Sequence, residues 1–262
     1  MLIDAGKRDK GIEAVLPCLE DLNIHHLDWI VATHYDADHI GGIAEVLRGL
    51  DQLAGTEDDF IPTEAIIDRG DFTDKATATY TDYVDMTAPY RKEAEPGMIF
   101  ELGGGATAKV VVVNGRYEDG RTIPLQPDEE NEACIGLLIE YGSFRYFTAG
   151  DLTGGGSPGG FPTKDLETLA GGIIDDIDIL HVGHHGSSSS TNETFLEETR
   201  PEAAIISVGK DNDYGHPTEE ILTRLDRAGA AVYRTDQLGP IEIQTDGDHY
   251  SFEQLTPAHF HQ

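Results

Sequence analysis

Short apolar runs alternate with amphipathic segments over most of the chain. Apolar runs predict strands at 1–6, 29–31, 65–67, 109–113, 134–141, 144–148, 177–182 and 203–208. Apolar residues at helical spacing predict helices at 12–22, 43–47, 76–91, 193–199 and 219–228. Two short strands at 231–233 and 241–243 are predicted to pair with each other. Because groups of strands alternate with helices, the pattern predicts an α/β layered fold, and we expect a single domain over 1–262.

Four potential metal ligands lie within six positions after the strand predicted at 29–31: His34, Asp36, Asp38 and His39. Helical spacing resumes at Ile43, so the segment is a strand-to-helix loop in which ligands can converge. Imidazole and carboxylate together suit a borderline divalent ion such as zinc or manganese. An EF-hand does not fit, because Ile40 and Leu47 occupy two of the required ligand positions counted from Asp36. A solvated acidic loop is the alternative interpretation.

Polar residues also follow three later strands. These residues are Asp151, the pair His184 and His185, and the loop residues Asn212 and His216. Side chains at the same edge of a layered sheet can meet even when they are far apart in sequence. Each of these signals is modest alone, but together with the first cluster they predict one metal-binding site.

These motifs resemble those of the metallo-β-lactamase superfamily. The first cluster is similar to that family's His-x-His-x-Asp-His signature, with Asp36 in place of the second His. The chain is still more similar to the hydrolase domain attached to ComEC competence proteins, the DNA-uptake channel of bacteria. The similar segments are 2–6, 33–42, 147–151, 179–187, 205–209, 212, 215–217 and 233–236.

The resemblance implies a four-layer αββα sandwich with two divalent metal ions, Zn²⁺ or Mn²⁺, along one edge. By the same resemblance, His34 and Asp36 hold one ion, Asp38 and His39 hold the other, and Asp151 bridges them. His184 completes the set, with His185 as the alternative ligand. Asn131 stands where many relatives carry a further His, which leaves the first ion richer in oxygen ligands and makes manganese more competitive there.

A water that bridges two such ions is ionised near neutral pH and can attack phosphorus or a carbonyl carbon. Asp38 is predicted to orient that nucleophile, and His216 to donate a proton or hold a substrate oxygen. The predicted substrate-binding residues are Asn131, Ser187 and Asn212. Our first hypothesis is hydrolysis of a phosphodiester or phosphomonoester, with a small phosphoester or a nucleic acid as substrate. The alternatives are hydrolysis of a β-lactam, lactone or thioester, and a metal-stabilised binding domain without catalysis.

The chain carries 49 Asp and Glu against 18 Lys and Arg, a formal net charge of −31. Self-repulsion of this size opposes compaction at low salt, so we expect either adaptation to a saline environment or an acidic, soluble surface. No broad basic patch is present in the sequence, so tight non-specific binding of nucleic acid is not expected.

The two cysteines, Cys18 and Cys134, do not indicate a disulfide framework. No apolar run is long enough to span a membrane and no signal peptide is evident, so we predict a cytoplasmic protein. Relatives usually carry one or two strands before the segment matching 2–6. We therefore expect a shorter sheet edge, missing residues, or a strand supplied by a neighbour, and an unprotected edge favours a homodimer.

Overall fold

The structure, a computed structural model, describes residues 1–71 and 77–254. The described residues form two compact units, and each contains a β-sheet with helices. Unit 1 consists of Met1–Ala94 and Gln126–Glu130, and unit 2 consists of Glu95–Leu125 and 131–254. The predicted α/β fold class is confirmed. The assignment of 1–262 to one domain stays a prediction.

Unit 1 is built on a four-stranded parallel sheet in the order β1-β2-β3-β4. Its elements are β1 (Leu2–Ile3), α1 (Leu16–Asp21), β2 (Trp29–Val31), α2 (Ala37–Ile40), α3 (Ile43–Leu47), β3 (Ala65–Asp68), α4 (Ala78–Thr87) and β4 (Arg91–Glu93). The sheet residues Ile30 and Ile66 are fully buried and pack with Val46 of α3 and Tyr83 of α4. This core fixes the loops that leave the carboxyl ends of β1 and β2.

Two predicted helices of unit 1 differ in detail from the structure. The helix predicted at 12–22 begins with a π-helical turn, Gly11–Val15, before α1. Pro17 lies in the first turn of α1, where its missing N–H cannot continue the preceding hydrogen-bond ladder. The helix predicted at 76–91 is α4, which ends at Thr87; Ala76 lies outside the described residues. The prediction was wrong at Arg91, which pairs with Ile66 as part of β4.

Unit 2 is built on a mixed sheet in the order β12-β11-β10-β9-β8-β6-β5, and β7 pairs with β6. Its strands are β5 (Ile99–Gly103), β6 (Ala106–Val113), β7 (Arg116–Tyr117), β8 (Gly136–Tyr141), β9 (Phe144–Thr148), β10 (Ile179–His181), β11 (Ala203–Ile206), β12 (Ala231–Arg234), β13 (Ile241–Thr245) and β14 (Tyr250–Gln254). Its α-helices are α5 (Glu167–Ile174), α6 (Glu193–Thr199), α7 (Glu219–Ala228) and α8 (Thr235–Leu238). The core joins sheet and helices, and Phe147 of β9 lies 5.8 Å from Phe195 of α6 between ring centroids.

The predicted pairing of the two strands at 231–233 and 241–243 was wrong. β12 continues the main sheet by pairing in parallel with β11, and β13 instead forms an antiparallel hairpin with β14. The hairpin packs on the sheet through aromatic residues, and Tyr233 stacks on Phe252 with a centroid distance of 4.0 Å. The sequence pattern does not predict β14, which is the true partner of β13.

Parallel pairing of β9, β10 and β11 brings the loops after these three strands to one edge of the sheet of unit 2. Asp151, the pair His184 and His185, and the loop leading to His216 all follow these strands. No helix among the described residues is long and apolar enough to cross a bilayer. The predicted cytoplasmic location and homodimer stay predictions.

Candidate metal centre

The carboxylate of Asp4 positions the loop of unit 1 that carries the predicted metal ligands, His34 to His39. It follows β1, and its carboxylate accepts the N–H of Thr33 at 2.8 Å and the hydroxyl of Thr33 at 2.7 Å. The same carboxylate lies 2.7 Å from Nδ1 of His39. Burial raises the pKa of Asp4, but the imidazoles of His39 and His34 and the N–H of Thr33 together lower it more, so the net direction is downward. An ionised Asp4 keeps the proton of His39 on Nδ1, so that Nε2 is the metal-binding nitrogen.

The four predicted ligands of unit 1 lie on one short segment. Asp36 precedes the single-turn helix α2, and Asp38 and His39 lie inside it. Nε2 of His34 lies 3.5 Å from Oδ2 of Asp36, and the ring centroids of His34 and His39 are 4.1 Å apart. His34 is fully buried and His39 is 6% exposed. This short segment therefore carries two imidazoles and a carboxylate close to one another.

A buried ion pair supports the same loop at Tyr35. The Glu130 carboxylate accepts the Tyr35 N–H at 2.7 Å and two hydrogen bonds from Arg69, at 3.0 and 2.6 Å. The guanidinium of Arg69 is fully buried and lies 4.3 Å from the centroid of the Tyr35 ring. Tyr35 separates His34 from Asp36, so this clamp fixes the backbone between two predicted ligands. Sequence reasoning missed both charged residues, which are distant from the loop along the chain.

The predicted ligands of unit 2 surround Asp151. Nε2 of His184 lies 3.6 Å from Oδ2 of Asp151, and Nε2 of His185 lies 3.6 Å from Oδ1. The Asp151 side chain is 5% exposed, and its backbone N–H donates to Sγ of the buried Cys134. The His184 N–H donates to the backbone oxygen of Gly150 at 3.1 Å, which attaches the histidine pair to the Asp151 segment.

The Nδ1 atoms of His184 and His185 each contact a different oxygen atom. Nδ1 of His185 lies 2.8 Å from the backbone oxygen of Ser207, and Nδ1 of His184 lies 3.0 Å from Oγ of Ser189. A backbone carbonyl only accepts, so Nδ1 of His185 carries the proton and Nε2 is the donor atom for a metal. Ser189 and Ser207 were not among the predicted residues, because a serine has no distinctive signal in this sequence.

Within each unit, the distance between an imidazole nitrogen and a carboxylate oxygen fits two ligand atoms that bind the same cation. Two ligand atoms held at about 2.1 Å from a tetrahedral ion lie about 3.4 Å from each other. The three imidazole–carboxylate distances of 3.5, 3.6 and 3.6 Å are close to that value and exceed the ordinary hydrogen-bond range. The donor set of imidazole and carboxylate is also the one that zinc and manganese accept. The residues present therefore fit a divalent metal ion.

The predicted loop residues of unit 2 divide into two groups. His216 lies near the histidine pair, with its ring centroid 5.9 Å from that of His184. Burial lowers the pKa of His216, and His184 and His185 lower it further, so its imidazole is neutral at neutral pH. Asn212 instead holds the loop, since its amide bonds both the N–H and the carbonyl of His216. Ser187 is 3% exposed, and its hydroxyl bonds to Ser189.

Asn131 lies in a short 3₁₀ turn, Asn131–Ala133, against the ring of His184. Its Nδ2 is 3.5 Å from Nδ1 and 3.4 Å from Nε2 of that ring, so the amide covers the imidazole instead of bonding one nitrogen. Within unit 2 the structure thus brings Asn131 and His216 beside the histidine pair. The assignment of all these residues to one pair of ions stays a prediction.

Sequence comparison connects the chain to known proteins. The family model of the metallo-β-lactamase superfamily matches residues 1–61. The chain is 28% identical over 236 residues to ComE operon protein 3 of Bacillus subtilis, covering 89% of this chain and 26% of that protein. It is 26% identical over 250 residues to competence protein ComA of Neisseria gonorrhoeae, covering 93% of this chain and 29% of that protein. The chain thus spans less than a third of the length of either relative.

Two solved structures match this chain at low sequence identity. Zn²⁺-bound PqqB from Methylobacterium extorquens has a TM-score of 0.40 and 15% identity, covering 79% of this chain and 70% of that chain. A diphosphatase from the PhnP family has a TM-score of 0.41 and 18% identity, covering 82% of this chain and 72% of that chain. The matching family model and the two long alignments with competence proteins agree with each other and with the α/β fold. These comparisons support the resemblance to the metallo-β-lactamase superfamily and, within it, to the competence proteins.

Proposed function

We propose that this chain is a divalent-metal-dependent hydrolase of phosphoester bonds. The observation that carries the proposal is the spacing of imidazole and carboxylate, which fits a shared cation in unit 1 and again in unit 2. The proposed ligands of two ions are His34, Asp36, Asp38, His39, Asp151, His184 and His185. Similarity to the metallo-β-lactamase superfamily supports the use of these residues together.

Carboxylates supply a large share of the proposed ligands. Three aspartates accompany four histidines, so harder ions such as Mn²⁺ compete with Zn²⁺ more strongly than at an all-histidine site. Divalent ions bound there supply Lewis-acid polarisation of the scissile group and lower the pKa of water. We expect manganese to restore activity to metal-depleted protein, and one of the two ions to be lost during purification.

The chain's own residues orient the reactants. Asp38 lies in the first turn of α2 beside His39, and we assign it the orientation of the attacking water. His216 is kept neutral, and its Nδ1 has no hydrogen-bond partner among the described residues. We assign His216 a hydrogen bond to a substrate oxygen, with Asn212 as the residue that holds its loop.

The choice of a phosphoester follows from the relatives and the ligand set. One of the two relatives is named a competence protein, and the resemblance to the DNA-uptake proteins of bacteria favours a phosphodiester over a β-lactam ring. The net charge of −31 opposes the approach of a long polyanion at low ionic strength. We therefore expect small phosphoesters to be cleaved at low salt, and any single-stranded or double-stranded DNA only at high salt.

A three-substrate panel tests the proposal. Metal-depleted protein is reloaded with Mn²⁺ or Zn²⁺ and assayed with a chromogenic phosphodiester, a chromogenic phosphomonoester and a chromogenic cephalosporin. We expect hydrolysis of a phosphoester, abolished by Asp38→Ala and by His39→Ala, and retained by His249→Ala, whose imidazole is exposed. Hydrolysis of the cephalosporin alone, or inertness of fully loaded protein towards all three substrates, contradicts the proposal.

A further inference from the structure

Tyr214 is an exposed aromatic residue beside the histidines of unit 2. Its ring is 76% exposed, whereas the rings of Phe147 and Phe195 lie in the core of the unit. The ring of Tyr214 is nearly parallel to that of His216, with an interplanar angle of 17° and a centroid distance of 5.9 Å. A single exposed apolar side chain is common on protein surfaces. The significance of Tyr214 therefore depends on its position and on the order of its loop.

Two successive ring contacts connect Tyr214 to the histidine pair. The ring centroid of His216 lies 5.9 Å from that of Tyr214 and 5.9 Å from that of His184. The proposed function assigns His216 a hydrogen bond to a substrate oxygen. A group bound against Tyr214 would therefore lie next to the residue that contacts the scissile group.

The loop that carries Tyr214 is held by hydrogen bonds. The amide of Asn212 donates to the carbonyl oxygen of His216 at 2.7 Å and accepts its N–H at 3.0 Å. The N–H of Thr218 donates to the backbone oxygen of Gly186 at 3.0 Å, which attaches the end of the loop to the segment that carries the histidine pair. A ligand that stacks on Tyr214 meets an ordered backbone, so its binding costs less conformational entropy than binding to a mobile loop.

A neutral aromatic face suits a planar π-system such as a nucleobase. Stacking of a base on an aromatic ring needs no cationic side chain, and every base can form it, because every base has a π-face. This property suits a chain with a net charge of −31, in which repulsion opposes contacts that depend on phosphate alone. A nucleotide carries its base and its phosphate on one sugar. Stacking on Tyr214 and a hydrogen bond to His216 can therefore form with one ligand.

We propose that Tyr214 is a specificity-determining residue that stacks on the base of a nucleoside phosphoester. The substrate class is thereby narrowed from phosphoesters in general to nucleotide esters that present an unpaired base. The inference rests on the proposed function, which supplies the phosphoester bond to be cleaved. The expected preference depends on the aromatic ring of Tyr214 and not on its hydroxyl.

Three chromogenic phosphodiesters that differ only in the group beside the phosphate test the inference. Mn²⁺-loaded protein is assayed with the p-nitrophenyl phosphodiesters of methanol, of choline and of the 5′-hydroxyl of thymidine. In each, a hydroxyl from water bonds to phosphorus, nitrophenolate leaves, and the remaining proton goes to solvent. We expect the wild-type kcat/KM for the thymidine ester to exceed that for the methyl ester at least about fivefold, mainly through a lower KM.

Variants of Tyr214 separate the ring from the hydroxyl and from apolar bulk. The ratio of kcat/KM for the thymidine ester to that for the methyl ester should approach one in Tyr214→Ala and in Tyr214→Leu. Tyr214→Phe keeps the ring and should keep the wild-type ratio. His249→Ala is the control, since its imidazole is exposed in the turn between β13 and β14, and it should also keep the ratio.

Binding of the product provides a readout that needs no turnover. The same proteins are titrated calorimetrically with thymidine 5′-monophosphate and with deoxyribose 5-phosphate, which lacks the base. We expect the wild type and Tyr214→Phe to bind the nucleotide at least about fivefold more tightly than the sugar phosphate. Tyr214→Ala and Tyr214→Leu should bind the two compounds alike.

Four results would overturn the inference. These are a wild type without preference for the thymidine compounds, a preference that Tyr214→Ala or Tyr214→Leu retains, a preference that Tyr214→Phe loses, and a larger ring-dependent preference for the choline ester, which would assign the ring to a cation. Ring-dependent binding of the nucleotide by a protein that hydrolyses none of the esters would contradict the proposed function alone. Hydrolysis of the esters without a preference for the base would contradict the inference alone.

Discussion

His39 and Asp4 form a 2.7 Å contact between Nδ1 and Oδ2, although they are 35 positions apart in the chain. The same carboxylate holds the backbone of Thr33, where the metal-ligand loop begins. Asp4 thus fixes both the first residue of the loop and the last predicted ligand. The geometry of the loop depends on one carboxylate that is not itself a predicted ligand.

Replacing that carboxylate should weaken metal binding without unfolding the chain. In Asp4→Asn the amide retains one oxygen, which cannot serve Thr33 and His39 as fully as the ionised pair of oxygens. We expect metal affinity to fall about ten- to a hundredfold, as for other partners of metal-binding histidines. Isothermal titration of metal-depleted protein with Zn²⁺ measures the change. Asp85→Asn, at an exposed position of α4, is the matched control. Equal affinities in wild type and Asp4→Asn would remove this role for Asp4.

For the buried pair Arg69–Glu130, we expect removal of the arginine alone to destabilise the protein more than replacement of both residues. Arg69→Met leaves the carboxylate of Glu130, which is 11% exposed, without its bidentate partner. We expect a loss of about 3–5 kcal/mol in the free energy of unfolding, because an uncompensated charge stays buried. The double variant Arg69→Met/Glu130→Gln removes that charge and keeps an acceptor for the Tyr35 N–H, so it should be less destabilised than Arg69→Met. Chemical denaturation of metal-depleted protein measures both. A double variant as unstable as the single one would count against a charge penalty.

Much of this fold could be predicted because several of its elements are determined by residues that are close together in the sequence. The helices α6 and α7 lie at the predicted residues, and each begins at a residue whose side chain caps it, Asn192 or Thr218. The ligands His34 to His39 were visible for the same reason, since a short segment contains them all. Strand ends also located Asp151 and the histidine pair, because parallel strands deliver their following loops to one edge.

Features that depend on contacts between residues far apart in the sequence could not be predicted. Arg91 was assigned to a helix, yet the Asp68 carboxylate and the β3 ladder make it a strand residue. The anchors Ser189, Ser207 and Glu130 are ordinary polar residues in the sequence and gain a role only when the chain folds. A single sequence ranks residues by type and spacing, and neither property distinguishes an anchoring serine from a solvated one.

The charge of the chain predicts stabilisation by salt. The excess of carboxylates that gives the net charge of −31 causes repulsion between like charges. Salt screens this repulsion, because the Debye length falls from about 10 Å at 0.1 M salt to about 3 Å at 1 M. We expect the melting temperature of metal-depleted protein to rise between low and molar NaCl. Sucrose over the same range of osmolality is the control, because it strengthens burial without screening charge. A melting temperature that responds to sucrose and NaCl alike would show that screening is not the cause, and adaptation to salt would lose its support.

Glu167 is a buried carboxyl group that gives stability an unusual dependence on pH. It is 4% exposed, and its two oxygens accept the N–H groups of Thr191 at 2.7 Å and Asn192 at 2.9 Å. Burial raises the pKa of Glu167 from 4.5 to about 8, against the opposing effect of these two N–H donors. A raised pKa means that the folded chain prefers the protonated carboxyl. The contribution of protonated Glu167 to the free energy of unfolding is therefore complete below about pH 4.5 and is lost as the pH rises through about 8.

The variant Glu167→Gln isolates this dependence. Glutamine does not titrate, but its amide nitrogen cannot accept one of the two backbone N–H groups, which costs about 1 kcal/mol or more. At pH 5 the wild type should therefore be the more stable protein. Between pH 5 and pH 9 the difference in the free energy of unfolding should shrink or reverse, because only the wild type must ionise a buried group. Denaturation of both proteins in chelator across this range measures the difference, and the repulsion of the acidic surface cancels in the subtraction. A difference that stays constant with pH would mean that Glu167 is already ionised in the folded chain at pH 5.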